Sequence, residues 1–414
     1  MAKRLLLVLT EFPPSFGGMQ THAVALCEWL HQRGYEIVVV TYRYEAGPAA
    51  VPAFPFPVHR VLSRVAYQAN VERITRLARE INADLIYSST VYYGEAAGAL
   101  GIPAICRSAG NDVLRPWIAW PYRWGSWLLD VPWVERQLYR RWRKWEWPEW
   151  LEGLLLKQRR AVMCRSARQM SCIFANSEFT RGLLQDVVAR ESTVETLPGG
   201  VDVEFFTQAS SERAQLGLKP QAFYLLTACR LVAKKGLDTL LAAVAQLRGE
   251  GLEVELLIAG EGRERASVEQ WITASALTDC VRLLGYVSHA DLREYMHAAD
   301  VFVLSSREVV DQRTRLRDVE TMGRALCEAA ACGMPIVSTC SGGIPSVITD
   351  GRDGVLVEPG NVLELAATIR RLRENPVLAQ SLGARAAERA KREFHWPVLF
   401  AAHEQAIARL LKLD

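Results

Sequence analysis

Four charged side chains stand where an α/β chain can do chemistry on an anion. Arg230 and Lys235 are five residues apart in ACRLVAKKG, between an apolar run, FYLLTAC, and an amphipathic stretch, GLDTLLAAVAQL. A strand-to-helix junction is the usual anion site of such a sheet, because unpaired backbone N–H groups and the positive end of the helix dipole converge there. Two fixed cations at that junction could neutralise a diphosphate. Glu320 and Glu328 follow, eight residues apart, in ETMGRALCEAAACGMP. GRALCEAAAC is rich in helix formers, Gly333 supplies the stop and Pro335 prevents continuation, so Glu328 is expected in the helix and Glu320 just ahead of it. The next strand, PIVSTC, leads to SGGIPSV, where Gly342 and Gly343 let the backbone approach a ligand closely. Alone, a double glycine is more often a plain turn, and two carboxylates at this spacing are usually solvated helix charges. Their company with Arg230 and Lys235 in one domain points to a site.

The elements that position these residues follow from hydrophobic periodicity. LLLVLT, a helix through His22 to Arg33, YEIVVVTY, a helix near Val71 to Ile81, ADLIYSS, IPAICRS and SCIFANS alternate strand with helix. After LPGGVDVEFF the pattern resumes with FYLLTAC, VELLIAGEG, VRLLGY, VFVLSS and PIVSTC. Strand–helix–strand repetition implies parallel sheets. The expected fold class is α/β, two Rossmann-like doubly wound domains facing a cleft at the carboxyl ends of both sheets. The expected divisions are residues 1–198, residues 199–390, and a helix over 391–414 crossing back to the first domain. A second glycine loop, PPSFGGMQTHAVAL, follows the first strand; its Gly17 and Gly18 precede a helix whose backbone amides could meet a phosphate or a sugar hydroxyl, or merely turn the chain. His22 reads as a helix residue near that loop.

Composition narrows the classes. The chain has 414 residues, half of them apolar, enough for two cores. A net charge of +3 argues against a general nucleic-acid binder, whose phosphate-neutralising surface would show in the total. The nine cysteines are odd in number, scattered and without a C-x-x-C pair, which suits a reducing cytosol. MAKRLLLVLTEFPP has no small-residue cleavage site and reads as a first strand rather than a signal peptide. No stretch reaches the roughly 18 uninterrupted apolar residues of a membrane helix, so any membrane contact is expected to be peripheral, on the inner face of the plasma membrane. No cluster of His, Cys or Asp has usable metal spacing, and no metal is expected.

One segment breaks the pattern. Residues 115–160 hold ten Lys or Arg against five Asp or Glu, and nine of the twelve tryptophans fall from Trp117 to Trp150. Within the expected insertion, about residues 113–148, Val134, Leu138, Trp142 and Trp145 recur at helical spacing, while Arg136, Arg140, Arg143 and Lys144 point elsewhere. An aromatic face with a basic flank suits an anionic bilayer. Packing on the domain core or a partner subunit, and stacking on sugar rings, remain open alternatives.

The order and spacing of these motifs carry a resemblance. PPSFGGMQTHAVAL, ANSEFTRGLL, LPGGVDVEFF, CRLVAKKGLDTLLAAV, LLIAGEG, LLGYVSHADLREYMHAADVFVLSS and the block from Glu320 through GMPIVSTCSGGIPSVITDGRDGVLVEPGN are, over essentially the whole chain, similar to the retaining GT-B glycosyltransferases of family 4, the glycosyl transferases group 1. The resemblance implies a nucleotide diphosphate sugar, UDP- or GDP-linked, as donor and no cofactor. It implies that Arg230 and Lys235 bind the donor diphosphate, Glu328 holds the ribose hydroxyls and Glu320 lies by the donor sugar, making Arg230, Lys235 and Glu320 the catalytic group. Gly18 and Gly343 match glycines bordering the same site, with Gly342 beside them, and the base rests near Gly285 and Tyr286. Three features depart from the family pattern. Ala109 stands where many members have a histidine, Ser346 stands where a glutamate is common, and REVVDQRTRLRDV lengthens the loop before Glu320, as a lid or a solvated loop.

Breaking the bond from the anomeric carbon to phosphate puts negative charge on the departing diphosphate, which Arg230 and Lys235 would stabilise without a divalent ion. Retention through a carboxylate nucleophile is one route. The resemblance implies the other, a same-face reaction in which the leaving phosphate oxygen takes the acceptor proton. The expected activity is hexosyl transfer to a glycan acceptor, lipid-linked given the tryptophan segment, in bacterial polysaccharide synthesis. Ala109 and Ser346 keep two competing readings in view: a non-catalytic sugar-nucleotide-binding subunit of a glycan assembly complex, and a GT-B sugar-nucleotide epimerase.

Overall fold

The computed structural model describes residues 2–14, 18–43, 53–116, 118–142, 149–188, 193–208, 212–312 and 314–413. The chain forms two compact units, Met1–Leu197 with Asp311–Leu316 and Phe400–Asp414, and Pro198–Val310 with Arg317–Leu399.

The first unit is built on β1 (Arg4–Val8), β2 (Glu36–Tyr42), β3 (Val58–Leu62), β4 (Leu85–Ser88), β5 (Ala104–Ser108), β6 (Cys172–Ala175) and β7 (Thr193–Thr196). They form one parallel sheet in the order β3-β2-β1-β4-β5-β6-β7. The inner strands are covered on both faces and therefore read as unbroken apolar runs; Leu5, Leu6 and Leu7 of β1 are all fully buried. The edge strands VHRVL and TVET are partly exposed and carry no such run, which is why periodicity does not reveal them. The chain reverses its direction of travel across the sheet between β1 and β4, the place where a doubly wound sheet opens a crevice at its carboxyl edge.

The second unit contains β8 (Phe223–Ala228), β9 (Val254–Ala259), β10 (Val281–Gly285), β11 (Val301–Leu304), β12 (Val309–Val310), β13 (Arg317–Asp318), β14 (Ile336–Thr339) and β15 (Val355–Val357). Six of them make a parallel sheet in the order β10-β9-β8-β11-β14-β15, with its reversal between β8 and β11. Successive residues of β8 serve opposite layers: Tyr224, Leu226 and Ala228 join Met296, Phe302 and Leu326, whereas Leu225 joins Leu240 and Val244. β12 and β13 pair with each other as an antiparallel hairpin, so the charged stretch before Glu320 is an ordered ribbon at its base. Arg317 grips Glu308 across it through two hydrogen bonds, of 2.6 and 2.7 Å.

The final helix runs Trp396–Leu411, and its residues from Phe400 onward belong to the first unit. The His403 ring sits edge-on to Phe174 at 4.7 Å, and Phe400 lies 5.3 Å from the ring of His22. His22 is thus a buried packing residue beneath this helix.

The tryptophan-bearing insertion contributes helices Ser126–Leu129 and Pro132–Trp142 and leads into Glu149–Ala167. Ion pairs fasten it to the residue after β2 and to helix Tyr67–Glu80. Arg43 donates to Glu135 at 2.9 Å and to Asp130 at 3.0 Å, and Arg73 joins the same Asp130 at 2.6 Å. Val134 and Leu138 are half-buried, as their spacing requires. Trp124, Trp127, Trp133 and Trp150 are 69, 76, 66 and 72 % exposed, so core packing does not account for these four. Trp117, Trp145, Trp147 and the side chain of Trp142 lie outside the described residues.

Candidate active site

Beyond the end of β8, Arg230 is exposed and Lys235 closes a short turn, Ala233–Lys235. Gly236 then adopts φ 61°, and a Cβ there would lie 2.1 Å from the Ser305 carbonyl oxygen, so this backbone rests directly on the chain leaving β11. The Ser305 hydroxyl donates to the Gly236 carbonyl at 2.9 Å and the Arg307 amide to the Lys234 carbonyl at 2.8 Å, which fixes the loop. Lys235 donates to the Glu320 carboxylate, with only 12 and 14 % of the two side chains exposed. Burial works against both charges, but their mutual attraction prevails: the Glu320 carboxyl is held below its ordinary range and the Lys235 ammonium above its own. Lys234, nearly buried, pairs with Asp318 at 3.1 Å and donates to the Val319 carbonyl at 3.1 Å. Two adjacent lysines therefore stitch the segment 318–320 to the end of β8. Among the described residues Arg230 has no carboxylate within ion-pair distance, leaving a cation unneutralised beside the Lys235–Glu320 pair.

The double glycine serves this cluster through its backbone. Gly342 has φ 56°, and a Cβ there would sit 2.2 Å from the Glu320 carbonyl oxygen. Glu320 is consequently held at both ends, by Lys235 through its side chain and by the Gly343 amide through its carbonyl. Glu328 lies in helix Arg324–Ala331 with Glu320 ahead of it. It is 5 % exposed, accepts from Arg324 one turn earlier at 3.2 Å, and has His289 Nε2 3.9 Å from the same oxygen. It is not a solvated surface charge. Gly285 has φ 70° at the end of β10 and Tyr286 is 75 % exposed. No hydrogen bond among the described residues joins either to the Lys235–Glu320 pair.

Lys234, Arg324 and His289 escaped the reading of the sequence. Lys234 looks like half of a surface Lys-Lys pair until its partner Asp318 is placed by the hairpin. Arg324 could have been found from its four-residue spacing to Glu328. His289 follows Ser288, whose hydroxyl caps the helix by accepting the Asp291 amide at 3.1 Å, and only the fold brings it to Glu328.

In the first unit Gly18 opens helix Gly18–Gln32, while Gly17 lies outside the described residues. Gln20 of that helix donates to Glu11 at 2.6 Å. Glu11 borders a cavity of 380 Å³ at the carboxyl ends of β1, β2, β4 and β5, also lined by Tyr42, Ser89, Ala109 and Asp112. Ala109, in the place of the family histidine, forms part of its wall. Among the described residues no three His, Cys, Asp or Glu side chains converge as metal ligands, and no helix is long and apolar enough to cross a membrane.

Comparison with known proteins places this geometry in a family. The profile for glycosyltransferase family 4 matches residues 16–205, and that for glycosyl transferases group 1 matches residues 208–389. The chain belongs to the group 1 glycosyltransferases of the GT-B fold, enzymes of glycosyl transfer. It is 25% identical over 408 residues, 96% of each chain, to a GDP-mannose-dependent monoacylated alpha-(1-6)-phosphatidylinositol monomannoside mannosyltransferase of Corynebacterium glutamicum. It is 32% identical over 209 residues, 49% of this chain and 47% of the other, to a D-inositol 3-phosphate glycosyltransferase of an Arthrobacter species. Among solved structures, the sucrose-phosphate synthase of Thermosynechococcus elongatus aligns over all of both chains with a TM-score of 0.77 at 20% identity. Anabaena HepE, solved with UDP, aligns over 98% of this chain and 100% of its own, with a TM-score of 0.72 at 20% identity.

Proposed function

We propose that the chain is a retaining, metal-independent hexosyltransferase that takes its sugar from a nucleotide diphosphate donor and delivers it to a lipid-linked acceptor in bacterial polysaccharide synthesis. The second domain, residues 199–390, holds the donor and the first, residues 1–198, takes the acceptor. The observation that carries this reading is Arg230, without a counter-ion among the described residues, next to the buried Lys235–Glu320 pair at the carboxyl edge of a doubly wound sheet. A diphosphate supplies the charge that site lacks. Glu328 takes the ribose hydroxyls, Gly285 and Tyr286 border the base, and Gly18, Gly342 and Gly343 shape the backbone around the donor. Several relatives that align over about 95% of the chain are named GDP-mannose-dependent mannosyltransferases, which favours a GDP-linked donor, although a glycogen synthase aligns over as much of it.

In the reaction the bond between the anomeric carbon and the phosphate oxygen breaks as negative charge grows on the diphosphate between Arg230 and Lys235. The acceptor oxygen bonds to the anomeric carbon on the same face, and its proton passes to the departing phosphate oxygen. The exposed tryptophans and basic residues of the insertion bring the enzyme to an anionic bilayer, where a lipid-linked acceptor resides.

The deciding experiment is thermal stabilisation by UDP, GDP, ADP and their hexose conjugates, compared between the natural chain and Lys235→Ala. A shift for one nucleotide family that vanishes in the variant supports the reading, whereas no shift with any member sinks it. Transfer unchanged in excess EDTA, with a product of the donor's anomeric configuration by NMR, supports metal independence and retention.

A further inference from the structure

Two arginines, Arg64 and Arg115, line the cavity of the first unit, and among the described residues Arg64 has no carboxylate partner. The cavity walls come largely from the carboxyl ends of four strands and from two residues of the insertion, Arg115 and Tyr139. Arg64 enters from just beyond β3 and meets two rings, its guanidinium carbon 5.3 Å from the centroid of Tyr42 and 5.3 Å from that of Tyr139.

The nearby acids are already engaged. Asp112 accepts the Ser108 hydroxyl at 2.6 Å on one oxygen and the Val91 amide at 3.1 Å on the other, and burial raises its pKa against these bonds. Glu11 accepts from Gln20, and Asp130 is shared by Arg43 and Arg73. Glu135 takes Arg43 at 2.9 Å on one oxygen and the backbone amide of Arg64 at 2.6 Å on the other. Among the described residues no carboxylate lies within ion-pair distance of the Arg64 guanidinium, although the side chain is only half exposed to water. A guanidinium withdrawn from solvent is normally paired. Cation–π contact with two rings holds this one in place, and a guanidinium's planar fork of N–H donors suits a bidentate oxyanion.

We infer that Arg64 reads an anionic group, a phosphodiester or a carboxylate, on the acceptor that enters this cavity. This rests on the transferase reading above and assigns the acceptor's chemical class. Tyr42 and Tyr139 hold the guanidinium, and the tie from Glu135 to the Arg64 amide links that geometry to the seating of the insertion.

The test compares a neutral acceptor, octyl glucoside, with two anionic ones, octyl glucuronide and phosphatidylinositol in mixed micelles. The ratio of kcat/KM for anionic over neutral acceptor is measured in the natural chain, Arg64→Gln and Arg64→Lys. The natural chain prefers at least one anionic acceptor, and which one distinguishes carboxylate from phosphodiester. Arg64→Gln lowers the ratio roughly 10- to 100-fold, the scale of a lost charge-assisted hydrogen-bond pair, and Arg64→Lys recovers part of it. No anionic preference in the natural chain, or an equal loss toward both acceptor types in Arg64→Gln, overturns the inference; the latter makes Arg64 a packing contact of the two rings. If the natural chain transfers sugar to nothing, the function reading fails separately. The cavity is then tested by titrating inorganic phosphate and glucuronate into the whole chain: stabilisation dependent on Arg64 supports the site, and none overturns it.

Discussion

The carbonyl of Glu320 accepts the amide of Gly343 at 2.8 Å. The carboxylate of the same residue takes the ammonium of Lys235, so one glutamate ties the loop after β8 to the loop after β14. The glycine loop thereby sets the position of a cation some hundred residues earlier in the chain, without its own side chains touching it.

Removing the two cations separates chemistry from stability. Arg230→Ala deletes an exposed charge that has no ion-pair partner among the described residues and is expected to lower kcat/KM roughly 100-fold or more, with the melting temperature unchanged. Lys235→Ala is expected to lose at least as much activity. It also leaves the Glu320 carboxylate buried without its counter-ion, a cost of about 3–5 kcal/mol. Lys235→Ala/Glu320→Ala should regain part of that stability and none of the activity. Equal melting temperatures for the two single variants would contradict the geometry.

Gly342→Ala puts a methyl group 2.2 Å from the Glu320 carbonyl in a left-handed backbone. Gly351, with φ 69° and nothing within 4 Å of an added Cβ, isolates the backbone strain alone. Gly351→Ala should cost about 1–2 kcal/mol and leave transfer intact. Gly342→Ala should cost more and depress nucleotide binding, read by melting curves with and without donor.

His403 makes the first unit acid-sensitive. Burial, with the charge of Arg107 nearby, holds its imidazole well below the ordinary 6.5. Below pH of about 6.5 the unfolded chain takes up a proton that the folded chain refuses, so stability falls as pH drops, by up to about 1.4 kcal/mol for the first pH unit. Melting temperatures at about pH 7.5 and 5.5 should converge in His403→Phe relative to the natural chain. An unchanged slope would place the sensitivity elsewhere.

Replacing Trp124, Trp127, Trp133 and Trp150 by serine should leave the melting temperature within about a degree, because these side chains are mostly in water already. Co-sedimentation with anionic vesicles should fall several-fold. Retained vesicle binding with a change in molecular mass by light scattering would assign the surface to a partner subunit.

Much of the second sheet and its charged cluster could be read from the chain because buried parallel strands are unbroken apolar runs and the cations sit at their ends. β3, β7 and β15 could not, being short and partly exposed. Gly342 was legible only in part: its two-glycine signature announces close approach but not to what, and the fold adds that the Glu320 backbone is one neighbour. Arg64 left no signal at all. Its meaning depends on Asp130 and Glu135 being occupied by Arg43 and Arg73, residues scattered over nearly a hundred positions.

The helix that seats His403 has a consequence for biosynthesis. Phe400 and His403 complete the packing around His22, Tyr87 and Phe174, yet they leave the ribosome only after the entire second unit has been made. The nascent first unit must wait with those rings uncovered, and its core closes only after translation has passed residue 403.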